Sequence, residues 1–98
     1  MDVALACRAL HSRKRLSLRY DGFVRVVEVH AAGLTSEGRP AMLVWQVRGG
    51  SNSGRPTGWR LLRIDEVSGE TMLEETSQAP RPSYHGACKI LAIIVCKL

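Results

Sequence analysis

The stretch "GWRLLRIDEV", residues 58–67, decides how this chain is read. As a strand its side chains alternate, so Trp59, Leu61 and Arg63 share one face while Arg60, Leu62 and Ile64 share the other. Each face is apolar and each carries an arginine. A sheet with one wet side shows apolar residues alternating with polar ones, which this segment does not do. One face then fills an interior. The other is expected to be covered by the N-terminal helix, the last strand, a second copy of the chain, or a ligand.

The neighbouring segments repeat the pattern. "PAMLVWQVR", residues 40–48, sets Ala41, Leu43, Trp45 and Val47 against Met42, Val44, Gln46 and Arg48. "RLSLRYDGFVRVVEVH", residues 15–30, reads as two strands joined at Asp21-Gly22, a pair that readily supplies the positive φ angles of a tight hairpin. Leu16, Leu18 and Tyr20 point inward in the first of these; in the second, Phe23, Arg25, Val27 and Val29 oppose Val24, Val26, Glu28 and His30. Residues 2–12 read as a helix with Asp2 as its cap and Val3, Ala6, Cys7 and Leu10 as its apolar stripe. A short strand is expected around 71–73, a proline-containing loop over 77–86, and a final β-branched strand in "ACKILAIIVCKL". One helix at about 2–12 followed by five or six short strands over about 14–98 predicts a single mainly β domain curled into a small β-barrel.

Ninety-eight residues with 45% hydrophobic content suit one core and leave no room for a second domain. The net charge of +5 favours anionic partners. That charge is uneven: residues 1–64 hold eleven cations against four anions, whereas residues 65–79 hold five anions and no cation. No secretory pattern opens the sequence, and three cysteines without close pairing fit a reducing compartment, so a cytoplasmic protein is expected. The run "ILAIIVC", residues 90–96, is far short of the ~20 residues of a membrane-spanning helix.

The order of features resembles the WYL domain family of bacterial regulators and defence-associated proteins over about residues 4–97. "WRLLRIDEV" is similar to the family's aromatic-Arg-Leu-x-Arg-Ile segment, placing Trp59, Arg60, Leu61, Arg63 and Ile64 on matching positions. "RLSLRYDG", "VEVHAAGL" and "PRPSY" support it. The tripeptide that names the family falls on Ala41-Met42-Leu43, where only the leucine remains. The resemblance implies an Sm-like (SH3-like) barrel behind a helix, acting in regulation as a ligand-sensing module without enzymatic activity, its ligands including nucleic acid and other anions.

Arg60 and Arg63 are the leading ligand-binding candidates, because a guanidinium offers five fixed donors and stays ionised at an apolar rim. Alternatively, one pairs with Asp65, Glu66 or another acid and the other snorkels past Trp59. Arg13, Lys14, Arg15, Arg19 and Arg25 form a basic stretch that can track a phosphate backbone or simply face solvent; Arg19 and Arg25 join the candidate set. "GGSNSG", residues 49–54, offers Ser51 and a glycine-rich backbone to an anion but lacks the Gly-Lys-Ser/Thr ending of a phosphate-binding P-loop, and a mobile hairpin loop is the commoner outcome. His30 joins the same candidate pocket, against the plainer reading of a buried structural histidine. A zinc site from Cys7, His11, His85 and Cys88 has poor spacing, and no segment supplies a general base or oxyanion hole, so neither metal, cofactor nor catalysis is expected. The expected function is anion sensing, nucleic acid or nucleotide favoured; the alternative is a structural interaction module acting through homodimerisation.

Overall fold

The computed structural model describes residues 1–84 and 90–98. Helix α1 (Val3–Ser12) precedes six strands: β1 (Lys14–Tyr20), β2 (Phe23–Thr35), β3 (Pro40–Gly49), β4 (Gly58–Arg63), β5 (Ser68–Thr76) and β6 (Leu91–Lys97), with a 3-10 turn at Ile64–Glu66. The Asp2 carboxylate caps α1 by accepting from the Leu5 N–H at 2.9 Å. Arg13 ends the helix with φ 55°, and its N–H reaches the Ala9 and Leu10 carbonyls. At the first hairpin Asp21 and Gly22 take φ 53° and 82°, the twist a two-residue turn needs to bring Tyr20 opposite Phe23.

The strands form one antiparallel sheet in the order β4-β3-β2-β1-β5, with β6 also paired to β2. The sheet is open, and this corrects the expected small Sm-like or SH3-like barrel: β4 and β5 end the row without pairing to each other. The fold is mixed, one helix on a six-stranded sheet. The reason lies in β2. Its 13 residues are long enough to carry two partners in succession on one edge, β1 against residues 23–27 and β6 against residues 31–35, while β3 runs along the other edge. Register shifts between Val26 and Val27 and between Val29 and Ala31 bend β2 without closing the sheet.

Each face has its own cover. On one, Ala6, Ala9 and Leu10 of α1 pack on Leu16, Leu18, Val27, Val29, Met42, Val44, Leu62 and Ile64. On the other, the cover is residues 77–84, the segment expected to be no more than a proline loop. Its Gln78 N–H donates to Glu28, its Arg81 side chain pairs with Glu28, its Ser83 hydroxyl accepts from the Trp59 indole N–H at 2.7 Å, and Tyr84 packs against His30 and Trp59. A cis peptide joins Ala79 to Pro80. Leu62 and Ile64 are thereby buried, whereas Trp59 and Leu61 on the other face are half-buried.

A covalent tie adds to this packing. Cys7 of α1 and Cys96 of β6 form a disulfide across 89 positions, which corrects the expectation of free thiols. Cys88 and His85 lie outside the described residues. Among the described residues no cluster of His, Cys, Asp or Glu is arranged to hold a metal, and no helix is long and apolar enough to cross a membrane.

Candidate anion-binding site

Three of the residues picked from sequence meet in one cavity. Arg25, Arg60 and Ser51 line a pocket of about 270 Å³, together with Tyr20, Asp21, Asn52, Ser53, Leu61 and Leu62. Arg25 comes from β2 just after the hairpin, Arg60 from β4, and Ser51 from the β3–β4 loop, three elements that strand pairing brings together.

Arg25 is 4% exposed and held on every side. Its Nε donates to the Tyr20 carbonyl at 3.3 Å, its Nη1 to Gln46 Oε1 at 3.3 Å, and its guanidinium lies over the Tyr20 and Phe23 rings. Burial, followed by repulsion from Arg60, lowers its pKa from the ordinary arginine value, with Asp21 and Tyr20 opposing the shift. It still carries its proton at any physiological pH. The two cations thus line one recess, and an anion placed between them relieves their repulsion.

Arg60 reaches the pocket with main-chain and hydroxyl partners rather than acids. Its Nη2 donates to the Arg55 carbonyl at 2.6 Å and the Ser51 hydroxyl at 3.4 Å, and its Nη1 to the Trp59 carbonyl at 3.0 Å. Its Nε is buried without a hydrogen-bond partner among the described residues. Neutral acceptors thus hold Nη1 and Nη2, and no carboxylate among the described residues pairs with the guanidinium. The carboxylate that lines the pocket, Asp21, accepts from the Asn52 amide.

The loop over residues 50–57, which joins β3 to β4 as the expected hairpin loop, is hydrogen-bonded to its surroundings. The buried Gln46 amide donates to the Gly50 and Pro56 carbonyls at 3.1 and 3.3 Å, and Ser51 donates to the Arg55 carbonyl at 2.9 Å. The Arg55 carbonyl therefore joins loop and Arg60. At the loop's start Gly49 has φ 113° against the Val24 carbonyl, where a side chain has no room.

The other candidates lie elsewhere. Arg63 lines a second cavity of about 370 Å³, with Thr35, Ser36, Glu37, Arg39, Leu61 and Ile90, and it is neutralised there by Asp65 and Glu66, each at 2.9 Å. The Asp65 hydrogen bond raises its pKa. His30 is fully buried: Nε2 accepts from the Arg81 N–H at 3.0 Å, Nδ1 faces the Glu28 carbonyl at 3.0 Å, and Trp59 packs edge-on at 4.7 Å. It is a structural histidine, closed off from the pocket. Arg19 is exposed on β1, paired across the hairpin with Val24, and does not line the cavity.

The basic stretch is largely consumed by internal partners. Arg15 pairs with Glu28 at 3.0 Å and Glu75 at 3.1 Å, Lys14 donates to the Glu74 carbonyl, and Arg13 to the Ala79 carbonyl. Glu28 accepts from Arg15, Arg81 and the Gln78 N–H, which together overcome the effect of its burial and lower its pKa. Sequence reasoning missed Asp21 and Asn52 as pocket residues, and Gln46 as the amide that holds both Arg25 and the loop behind the pocket. A buried glutamine on a strand was the one available signal, since a core amide has to find partners. In comparisons with known proteins, the chain matches no family model, no curated protein and no solved structure.

Proposed function

We propose that this chain is a non-enzymatic sensing module that captures an anionic ligand in the pocket of Arg25, Arg60 and Ser51. The observation that carries the reading is the convergence of two guanidiniums in one recess without a carboxylate paired to either. Compact, doubly charged phosphate groups match the cavity, so a nucleotide or a nucleic-acid terminus is favoured over a long backbone track. The pairing of Arg15 with Glu28 and Glu75 supports that choice, because it takes a central cation of the basic stretch out of such a track.

In this reading the phosphate takes over the donors that Arg60 now spends on Arg55 and Ser51. The loop over 50–57 loses that latch and shifts, and a partner detects the change. The WYL-like resemblance belongs to the same proposal, with Arg60 and Leu61 the matching positions that reach the pocket. A cytoplasmic location does as well; disulfides are uncommon there, so thiol trapping of the protein from intact cells, which reads the state of Cys7 and Cys96, tests it directly.

The test is a titration of adenosine monophosphate and short single- and double-stranded oligonucleotides at about 50 and about 200 mM salt, where phosphate contacts show as a steep loss of affinity. Arg60→Ala is expected to weaken binding by about tenfold or more, as loss of a charge-assisted contact does, while Arg63→Ala leaves it unchanged. Asp21→Asn, which removes the rim carboxylate at a left-handed position asparagine accepts, is expected to tighten binding. Equal, feeble binding by the parent, Arg60→Ala and Arg63→Ala sinks the site.

A further inference from the structure

We infer that the outer edge of β6 pairs with the same edge of a second copy of this chain, joining two sheets about a two-fold axis. Strand β6 pairs only with β2, and among the described residues no other strand meets it. From Leu91 to Cys96 no strand among the described residues takes up the main-chain donors and acceptors of its other side. Such an edge calls for a strand rather than a helix or a small molecule.

The side chains fit that role. Ile93 and Val95 are 57% and 59% exposed, and Ile94 is 39% exposed. From Leu91 to Cys96 the strand has no charged residue and no proline, and of the devices that keep an edge from pairing it carries only the irregularities that pass over Ala92 and Val95 in its register with β2. The strand is also held in place. The disulfide fixes Cys96 to α1, the Leu98 N–H donates to the His30 carbonyl, and Gly33 brings the β2 backbone against the Ile93 carbonyl where no Cβ fits.

Self-complementarity and charge select a second copy as the occupant. With the two-fold through Ile94, Ile93 of one copy faces Val95 of the other, and the two Ile94 residues meet at the centre. Directly opposed residues share a face, so apolar side chains match on both sides of the joined sheet. The one charged residue of the strand, Lys97, then lies opposite Leu91, and the two lysines sit at opposite ends. Two chains of net charge +5 therefore meet along their least charged element. An acidic strand from another protein has to bury its carboxylates against isoleucine and valine.

The pocket of Arg25 and Arg60 lies at the opposite end of β2, where β1 pairs with it, so dimer formation and anion binding fail independently. The experiment is sedimentation equilibrium of the full chain over a wide concentration range. The parent is expected to rise from the mass of one chain to twice that mass, and the double variant Ile93→Lys/Val95→Lys to stay at one chain with an unchanged far-UV spectrum. Should the lysines disturb the fold, Ile93→Thr/Val95→Thr keeps strand preference and is expected to weaken the dimer. Amide exchange at Ile94 is expected to slow as parent concentration rises. A parent that stays at one chain at the highest concentration overturns the inference, and so does a folded variant that dimerises as tightly as the parent.

Discussion

His30 lacks access to water, and both of its ring nitrogens are engaged by main-chain groups. The Arg81 N–H needs an acceptor at Nε2, so the proton resides on Nδ1 and is donated to the Glu28 carbonyl. Burial lowers the pKa from 6.5, more than the Glu28 carbonyl and charge raise it. An imidazole whose folded pKa is depressed contributes stability above its unfolded value, because only the unfolded chain gains the proton as pH falls. Unfolding free energy is therefore expected to fall as pH drops below 6.5, and His30→Gln to flatten that slope; denaturant titrations at several pH values measure both. Nitrogen NMR shifts showing an imidazolium at neutral pH in the folded chain contradict this account. The two arginines of β4 teach a similar lesson at the same scale. They were equivalent by pattern, but Arg63 is followed by Asp65 and Glu66 on a 3-10 turn that folds both acids back onto it, while Arg60 turns to the loop.

Among the elements, α1 was the most legible. Asp2 caps it, its stripe packs on the sheet, and it runs Val3–Ser12 where about 2–12 was expected. Strand β5 was legible in place but not in extent, because much of Ser68–Thr76 is polar and its regularity comes from pairing with β1. The Cys7–Cys96 bond was invisible, since no spacing rule links residues 89 apart. It closes nearly the whole chain into a loop, and such a closure restricts the unfolded ensemble strongly. Reduction, or Cys7→Ser, is expected to lower stability by about 2–4 kcal/mol in urea unfolding, with the native fold retained. A change below about 0.5 kcal/mol means the helix-to-strand packing alone fixes α1.

At the scale of the molecule, Glu28 links elements far apart in sequence: Arg15 of β1, and Gln78 and Arg81 of the covering segment, converge on one fully buried carboxylate. Arg15 extends the chain of charges to Glu75, which Arg48 also holds, and the two arginines bring the Glu75 carboxyl down to about 2. Removing the central charge strands two cations and a main-chain donor, so Glu28→Ala is expected to cost about 3–5 kcal/mol and to release residues 77–84, which limited proteolysis detects. Loss below about 1 kcal/mol argues that ring packing by Trp45, Trp59 and Tyr84 holds the cover unaided.

The local pattern by itself determined the helix, the first hairpin, the strand order along the chain and the demand that both faces of β4 be covered, because alternation, caps and turn chemistry act over a few residues. It also placed Arg25, Arg60 and Ser51 among the binding candidates. Tertiary structure alone decided that the sheet stays open, that residues 77–84 supply the second cover, that Arg63 and His30 are spent internally, and that Cys7 reaches Cys96. Those outcomes depend on which distant groups share one small volume, where a buried charge or amide must find its partner, and that competition is settled only when the whole chain is packed.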